Sequence, residues 1–140
     1  KREARGMKET FRPIVIASLI AAAVNQVLYF VATGFFEVSF TLTTPATMPI
    51  PFFAPALLSI GQGIVGGFIV AWIASSTRSP KNVWLSISLI ALALSFVLPL
   101  GGIESQTAAL WLIAMHAISG ALIIPMVRSV LPATKEASAS

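Results

Sequence analysis

The charged residues of this chain leave four long gaps, and those gaps restrict the fold more than any motif does. No Asp, Glu, Lys or Arg occurs in the 24 residues between Arg12 and Glu37, or in the 40 between Glu37 and Arg78. The same holds for the 22 residues between Lys81 and Glu104 and the 23 between Glu104 and Arg128. A helix crossing a bilayer needs roughly 20 predominantly apolar residues. The first, third and fourth gaps each fit one span. The second is too long for one and too short for two with a turn.

Proline resolves the second gap. Pro45, Pro49, Pro51 and Pro55 punctuate TLTTPATMPIPFFAP, and proline removes backbone donors and breaks helix interiors. Residues 38–50 are therefore expected to form a loop, with the second span starting near Pro51. The expected fold is all-α: an integral membrane four-helix bundle with a transmembrane domain over 13–128. Its spans are 13–36, 51–76, 82–101 and 106–128. A basic segment, 1–12, precedes the domain and a tail, 129–140, follows it. Ser79-Pro80 reads as an N-cap and first-turn proline. Pro99 and Gly101-Gly102 end the third span, and Pro125 lies in the last turns of the fourth. No signal peptide is recognisable.

Composition agrees with a lipid solvent. Charged residues make up only 10% of the 140 positions, against about 25% in ordinary soluble domains. A soluble chain of this length could not cover its core with so few charges.

The nine basic residues then orient the bundle. Lys1, Arg2, Arg5, Lys8 and Arg12 precede the first span, Arg78 and Lys81 lie between the second and third, and Arg128 and Lys135 follow the fourth. All fall on one side of a four-span topology. The positive-inside rule makes that side cytoplasmic, so both termini lie inside and loop 38–50 lies outside. The expected location is the bacterial cytoplasmic membrane. Trp72 and Trp84 flank the inner turn as expected interface anchors, and Trp111 lies towards the outer end of the fourth span. The basic balance does not point to nucleic acid, because no soluble domain is there to carry such a site.

One stretch suggests a different chemistry. SIGQGIVGG at 59–67 contains Gly61-x-Gly63-x-x-Gly66, the spacing of a dinucleotide fingerprint. That fingerprint needs a strand before it, a helix after it and an acidic residue about 20 positions on. Here the glycines lie inside an apolar span and no acid follows. A packing role explains them better. Ser59, Gly63, Gly67, Ala71 and Ser75 recur every four residues, one continuous strip of small side chains on a helix. In lipid, close approach of backbones holds helices together. The strip could meet another helix of this chain, a second copy, another membrane subunit, or a flat pigment or lipid.

Polar residues at mid-depth are the candidate site. His116 is the one ionisable group there, with Asn25, Gln26 and Gln62 as the other strong hydrogen-bonding side chains. Ser95 and Ser119 are nearby in depth, and a shared polar cluster is expected because an unpaired polar group in hydrocarbon is costly. His116 is either a structural histidine bonded to Asn25, Gln26 or Gln62, or an axial ligand to haem iron or the magnesium of a chlorophyll-type pigment. Its solitude rules out bis-histidine ligation within one chain. The sequence establishes no cofactor. It offers no lysine for a retinal Schiff base, no mid-membrane carboxylate for proton-coupled export, no cysteine and no aspartate at all. No enzyme is expected.

The second half resembles a family of small four-span bacterial membrane proteins, DUF6069. The resemblance is carried by Arg78 followed by Trp84, by SFVLPL at 95–100, and by AMHAISGALIIPMVRS at 114–129 with Met115-His116 and Pro125. It implies four spans and cytoplasmic termini, and no activity. The expected role is an accessory or scaffold subunit packing against a larger membrane complex, in contact with a pigment, haem or lipid. The alternative is a small oligomeric transporter or channel that uses the polar set.

The orientation has a direct test, since the chain lacks cysteine. In intact cells, a single cysteine placed at Thr43 should react with a membrane-impermeant thiol reagent, and one placed at Ser76 should not. The reverse pattern would invert the topology.

Overall fold

A computed structural model describes residues 2–134 of the chain, with side chains described from Met7 onward. Lys1 and residues 135–140, which include Lys135 and most of the expected tail, lie outside the described residues. The side chains of Arg2 and Arg5 do too.

The chain runs α1 (Arg2–Phe35), β1 (Thr41–Leu42), β2 (Met48–Pro49) and α2 (Ala54–Gly61). A π-helical segment, Gln62–Gly66, continues directly into α3 (Gly67–Ser75). Then follow α4 (Pro80–Ser95), α5 (Val97–Gly102) and α6 (Gln106–Val130). Four helical stretches are long and apolar enough to cross a membrane: Met7–Phe35, Ala54–Ser75, Pro80–Gly102 and Gln106–Val130. They are spans 1 to 4 below. Only 11–33% of each apolar window is buried within the protein. Large side chains such as Leu57, Ile69, Leu89, Ile90, Leu94 and Leu110 face outward. Helices apolar all round with so little buried suit a lipid surround.

Boundaries differ from expectation in three informative places. The first helix begins at Arg2 and passes through Pro13 without ending, so the basic segment is a helical extension of span 1. Ser79 occupies the N-cap of α4 with Pro80 in the first turn, but its side chain makes no capping bond. Pro99 lies within α5, and the helix ends at Gly102.

The 38–50 segment carries a small antiparallel hairpin, with Thr41 opposite Pro49 and Leu42 opposite Met48. It is the one departure from all-α structure among the described residues. Glu37, at φ 53°, turns the chain out of α1 through the left-handed region common after helix ends. The Val38 amide then closes on the Ala32 carbonyl. Ile103 bridges to Leu42, and the Thr43 and Glu104 amides bond to the Gly102 and Thr41 carbonyls. The hairpin thus fastens to the turn between spans 3 and 4. Phe40 is buried beneath it, stacked on Tyr29 at 5.0 Å.

Two apolar clusters result. The one at the hairpin end, termed outer, joins Ala32, Val38, Phe40, Ala108 and Met115; the one at the end of the 76–79 turn, termed inner, joins Ile14, Ala71, Ala74, Trp84, Val127 and Leu131. Trp84 does not act as the expected interface anchor. It is 1% exposed, and its indole N–H donates to the Ile124 carbonyl at 2.9 Å. Burying an indole is tolerable when its N–H finds an acceptor. Trp72, 59% exposed, keeps an outward position.

The small-residue strip lies on span 1. A Cβ at Gly63 would fall 2.8 Å from the Ser18 Cβ and closer still to its hydroxyl; at Gly67 it would fall 3.1 Å from Ile14. A Cβ at Gly66 would meet nothing within 4 Å. Gly63→Ala should therefore destabilise the bundle by about 1–3 kcal/mol, the usual cost of overpacking. Gly66→Ala should be neutral or stabilising by up to ~1 kcal/mol from helix propensity. Unfolding in mixed micelles measures both; equal effects would refute the contact.

Candidate functional site

Spans 1 and 4 pack along each other, span 2 packs on span 1, and span 3 on span 4. Spans 2 and 3 meet closely only where α3 faces α4, next to the turn that joins them. Further out they diverge. The gap is a cavity of about 290 Å³. Its floor is formed by Asn25 of span 1 and by Met115, His116, Ser119 and Gly120 of span 4. Leu58, Gln62 and Gly66 line one wall, and Ser88, Ala91 and Ser95 the other. Leu58, Gln62 and Ala91 are exposed, so the cavity is a cleft whose mouth lies between spans 2 and 3.

Local sequence explains this shape. Gly63 and Gly67 draw span 2 against span 1, away from span 3. The backbone there takes one turn of π-helix, a rare departure that often marks functional sites. On the opposite wall, Leu92 packs over Gly120 of span 4, where a Cβ would fall 2.8 Å from it.

Asn25 organises the floor. It is 4% exposed, and its Nδ2 donates to Ser59 Oγ at 2.9 Å and Ser119 Oγ at 2.8 Å. Ser59 in turn donates to the Pro55 carbonyl at 2.6 Å, so its oxygen must accept, which assigns the orientation of the amide. Three spans are tied at one side chain. Asn25 Oδ1 is buried with no donor among the described residues, as is the Ser18 hydroxyl. An unmet buried acceptor costs about 1–3 kcal/mol.

His116 lies on the same floor, one turn before Ser119. Its Nδ1 is 2.6 Å from the Leu112 carbonyl. A carbonyl only accepts, so Nδ1 carries a proton, and in the Nδ1–H tautomer the lone pair lies on Nε2. No described residue bonds to Nε2, and it is not among the fully buried unpartnered atoms. It is reachable from the cleft. Phe96 meets the ring edge-on at 6.4 Å.

The other two candidates lie apart. Gln26 Nε2 donates to the Phe52 carbonyl at 2.6 Å, and its Oε1 accepts from the Ala56 amide at 3.3 Å. It satisfies one of the free amides at the start of α2 and anchors the entrance of span 2. Gln62 lies exposed at the mouth. The structure thus brings Asn25 and His116 to one floor with Ser59 and Ser119, puts Gln62 on a wall of the same cavity, and places Gln26 elsewhere. Ser59 was visible as part of the strip, but not as a partner of Asn25. Ala71 lies in the inner cluster.

A family model described as a family of unknown function, DUF6069, matches residues 5–133. No curated protein and no solved structure matches the chain.

Gln26→Leu should free both the Phe52 carbonyl and the Ala56 amide, loosening the start of span 2 by about 1–2 kcal/mol. Hydrogen exchange at Ala56 should accelerate, whereas exchange within α6 should not. Unchanged protection at Ala56 would show that the glutamine does not anchor it.

Proposed function

The chain belongs to the DUF6069 family of unknown function, and from its cleft we propose a non-catalytic, multi-pass membrane protein that holds a lipophilic small molecule taken laterally from the bilayer. The reading places it in the bacterial cytoplasmic membrane with both termini inside. One observation carries it. A mostly apolar cavity opens between spans 2 and 3, with a few polar groups: Asn25, Ser59, His116 and Ser119 on the floor, and Gln62, Ser88 and Ser95 on the walls. Small-molecule sites typically show this pairing of apolar walls with a few placed polar groups. The outward apolar faces suit lipid and further membrane subunits alike, in keeping with an accessory role in a larger assembly or in self-association.

The pigment or haem reading draws on the reachable His116 Nε2, since metal-bound histidines commonly donate their other ring N–H to a backbone carbonyl. The volume argues against it. A cavity of about 290 Å³ lies at the low end of the ~300–1,000 Å³ range for small-molecule sites. That suits a single ring with an alkyl segment better than a four-pyrrole macrocycle. The transporter or channel reading has less support. Gln26 is engaged with the 52–56 backbone, Gln62 is at the rim, and the hairpin fastens over the outer end. Asn25, Gln62 and His116 line one cleft, but Gln26 is not among its lining residues.

Protein extracted directly into native nanodiscs should release a lipophilic compound on organic extraction, identified by mass spectrometry. Ala91→Trp, which narrows the mouth from an exposed rim position, should deplete it. An extract matching bulk membrane lipid, and unaltered by Ala91→Trp, would overturn the reading.

A further inference from the structure

The proposed ligand has a polar end, and the cleft floor indicates its chemistry. Resting on the cleft reading above, we propose that the site selects an amphiphile bearing a hydroxyl group, an alcohol or phenol, which donates to His116 Nε2 and accepts from Ser119. Two observations converge. First, the Leu112 carbonyl at 2.6 Å holds a proton on Nδ1, and in that tautomer Nε2 is an acceptor on a residue that lines the cavity. Second, Ser119 Oγ receives the Asn25 amide at 2.8 Å, while its own proton meets no acceptor among the described residues. His116 and Ser119, three residues apart, share one face of α6.

A hydroxyl group fits this pattern because it donates once and accepts twice. A ketone or ester oxygen would bring a further acceptor to Nε2 and leave it unpaired. An ammonium could donate to Nε2, but it could not accept from Ser119. The head of the ligand lies on the floor, and its apolar body extends between Leu58 and Ala91 towards the mouth. Asn25 is a positioning residue: it holds Ser119 without needing to touch the ligand.

The test compares para-dodecylphenol with dodecylbenzene, which lacks the hydroxyl, on protein in nanodiscs. The phenol should bind about tenfold more tightly, the equivalent of one net hydrogen bond. In His116→Phe the phenol should lose most of this advantage and keep only the part that Ser119 supplies. Because the chain has one histidine, nitrogen NMR of histidine-labelled wild type gives an independent readout. The phenol should shift the unprotonated Nε2 signal, and dodecylbenzene should not. Equal binding of both probes to the wild type, an unmoved Nε2 signal, or a phenol preference undiminished by His116→Phe would overturn the inference and leave the cleft reading standing. Visible tetrapyrrole bands in the native protein that vanish in His116→Phe would assign Nε2 to a metal instead. If neither probe binds, the cleft reading itself fails.

Discussion

The contact between the second span and the first determines much of the remaining architecture. Between helices surrounded by lipid, apolar side chains gain little by leaving lipid for one another, so association depends on close backbone approach and on polar bonds. Gly63 against Ser18 and Gly67 against Ile14 supply the approach. Asn25 to Ser59 supplies the polar bond one turn further out, and Gln26 to Phe52 and Ala56 secures the entrance. Span 2 is thereby committed to span 1 along most of its length. It has little surface left for span 3 except at the inner turn, where only a few residues separate them.

The cleft follows from that commitment. Four helices in an even bundle would each touch two neighbours from end to end. Here one of the four seams is closed at the inner end alone, where Trp84 joins the cluster of Ala71, Ala74 and Val127. The hairpin over 41–49 and its bridge to Ile103 tie the outer ends. Apolar clusters therefore lie at both ends of the bundle, and the polar floor lies between them. The arrangement gives Asn25, Ser59 and Ser119 one another as partners at the depth where water is scarcest and an unmet polar group costs most.

The four spans were legible because they depend on composition over twenty or more residues, a signal that single exceptions do not erase. Legible too were the strip on span 2 and the mid-depth position of Asn25 and His116. Depth along a helix follows from counting residues. Direction around it does not, since it depends on which face meets which neighbour. Hence Gln26, one residue from Asn25, points about 100° away and serves the backbone at 52–56. Gln62 shares its span with the strip but turns outward to the mouth. Trp84 was misjudged for the same reason: its depth suited an interface anchor, but its face met span 4 at Ile124. The hairpin and the π-helical turn left no distinctive pattern, because prolines announce a loop without saying that it pairs, and glycines tolerate many geometries.

Span 3 stands apart from the polar network. The side-chain bonds of Asn25 join spans 1, 2 and 4, and none reaches span 3. Among its attachments are the Trp84 bond to Ile124, Leu92 over Gly120, Phe96 edge-on to His116, and the outer tie at Gly102 and Ile103. Two of these lie near its ends, and the middle two are packing contacts without a hydrogen bond. The hydroxyl of Ser95 returns to its own helix at the Leu92 carbonyl instead of crossing the cleft. Between its ends, span 3 thus offers no side-chain hydrogen bond to its neighbours among the described residues. A molecule filling the cleft would replace missing apolar contact on the walls and an absent donor on the floor. The same vacancy, in packing and in hydrogen bonding, makes the cleft the part of the bundle best suited to an occupant from the lipid phase.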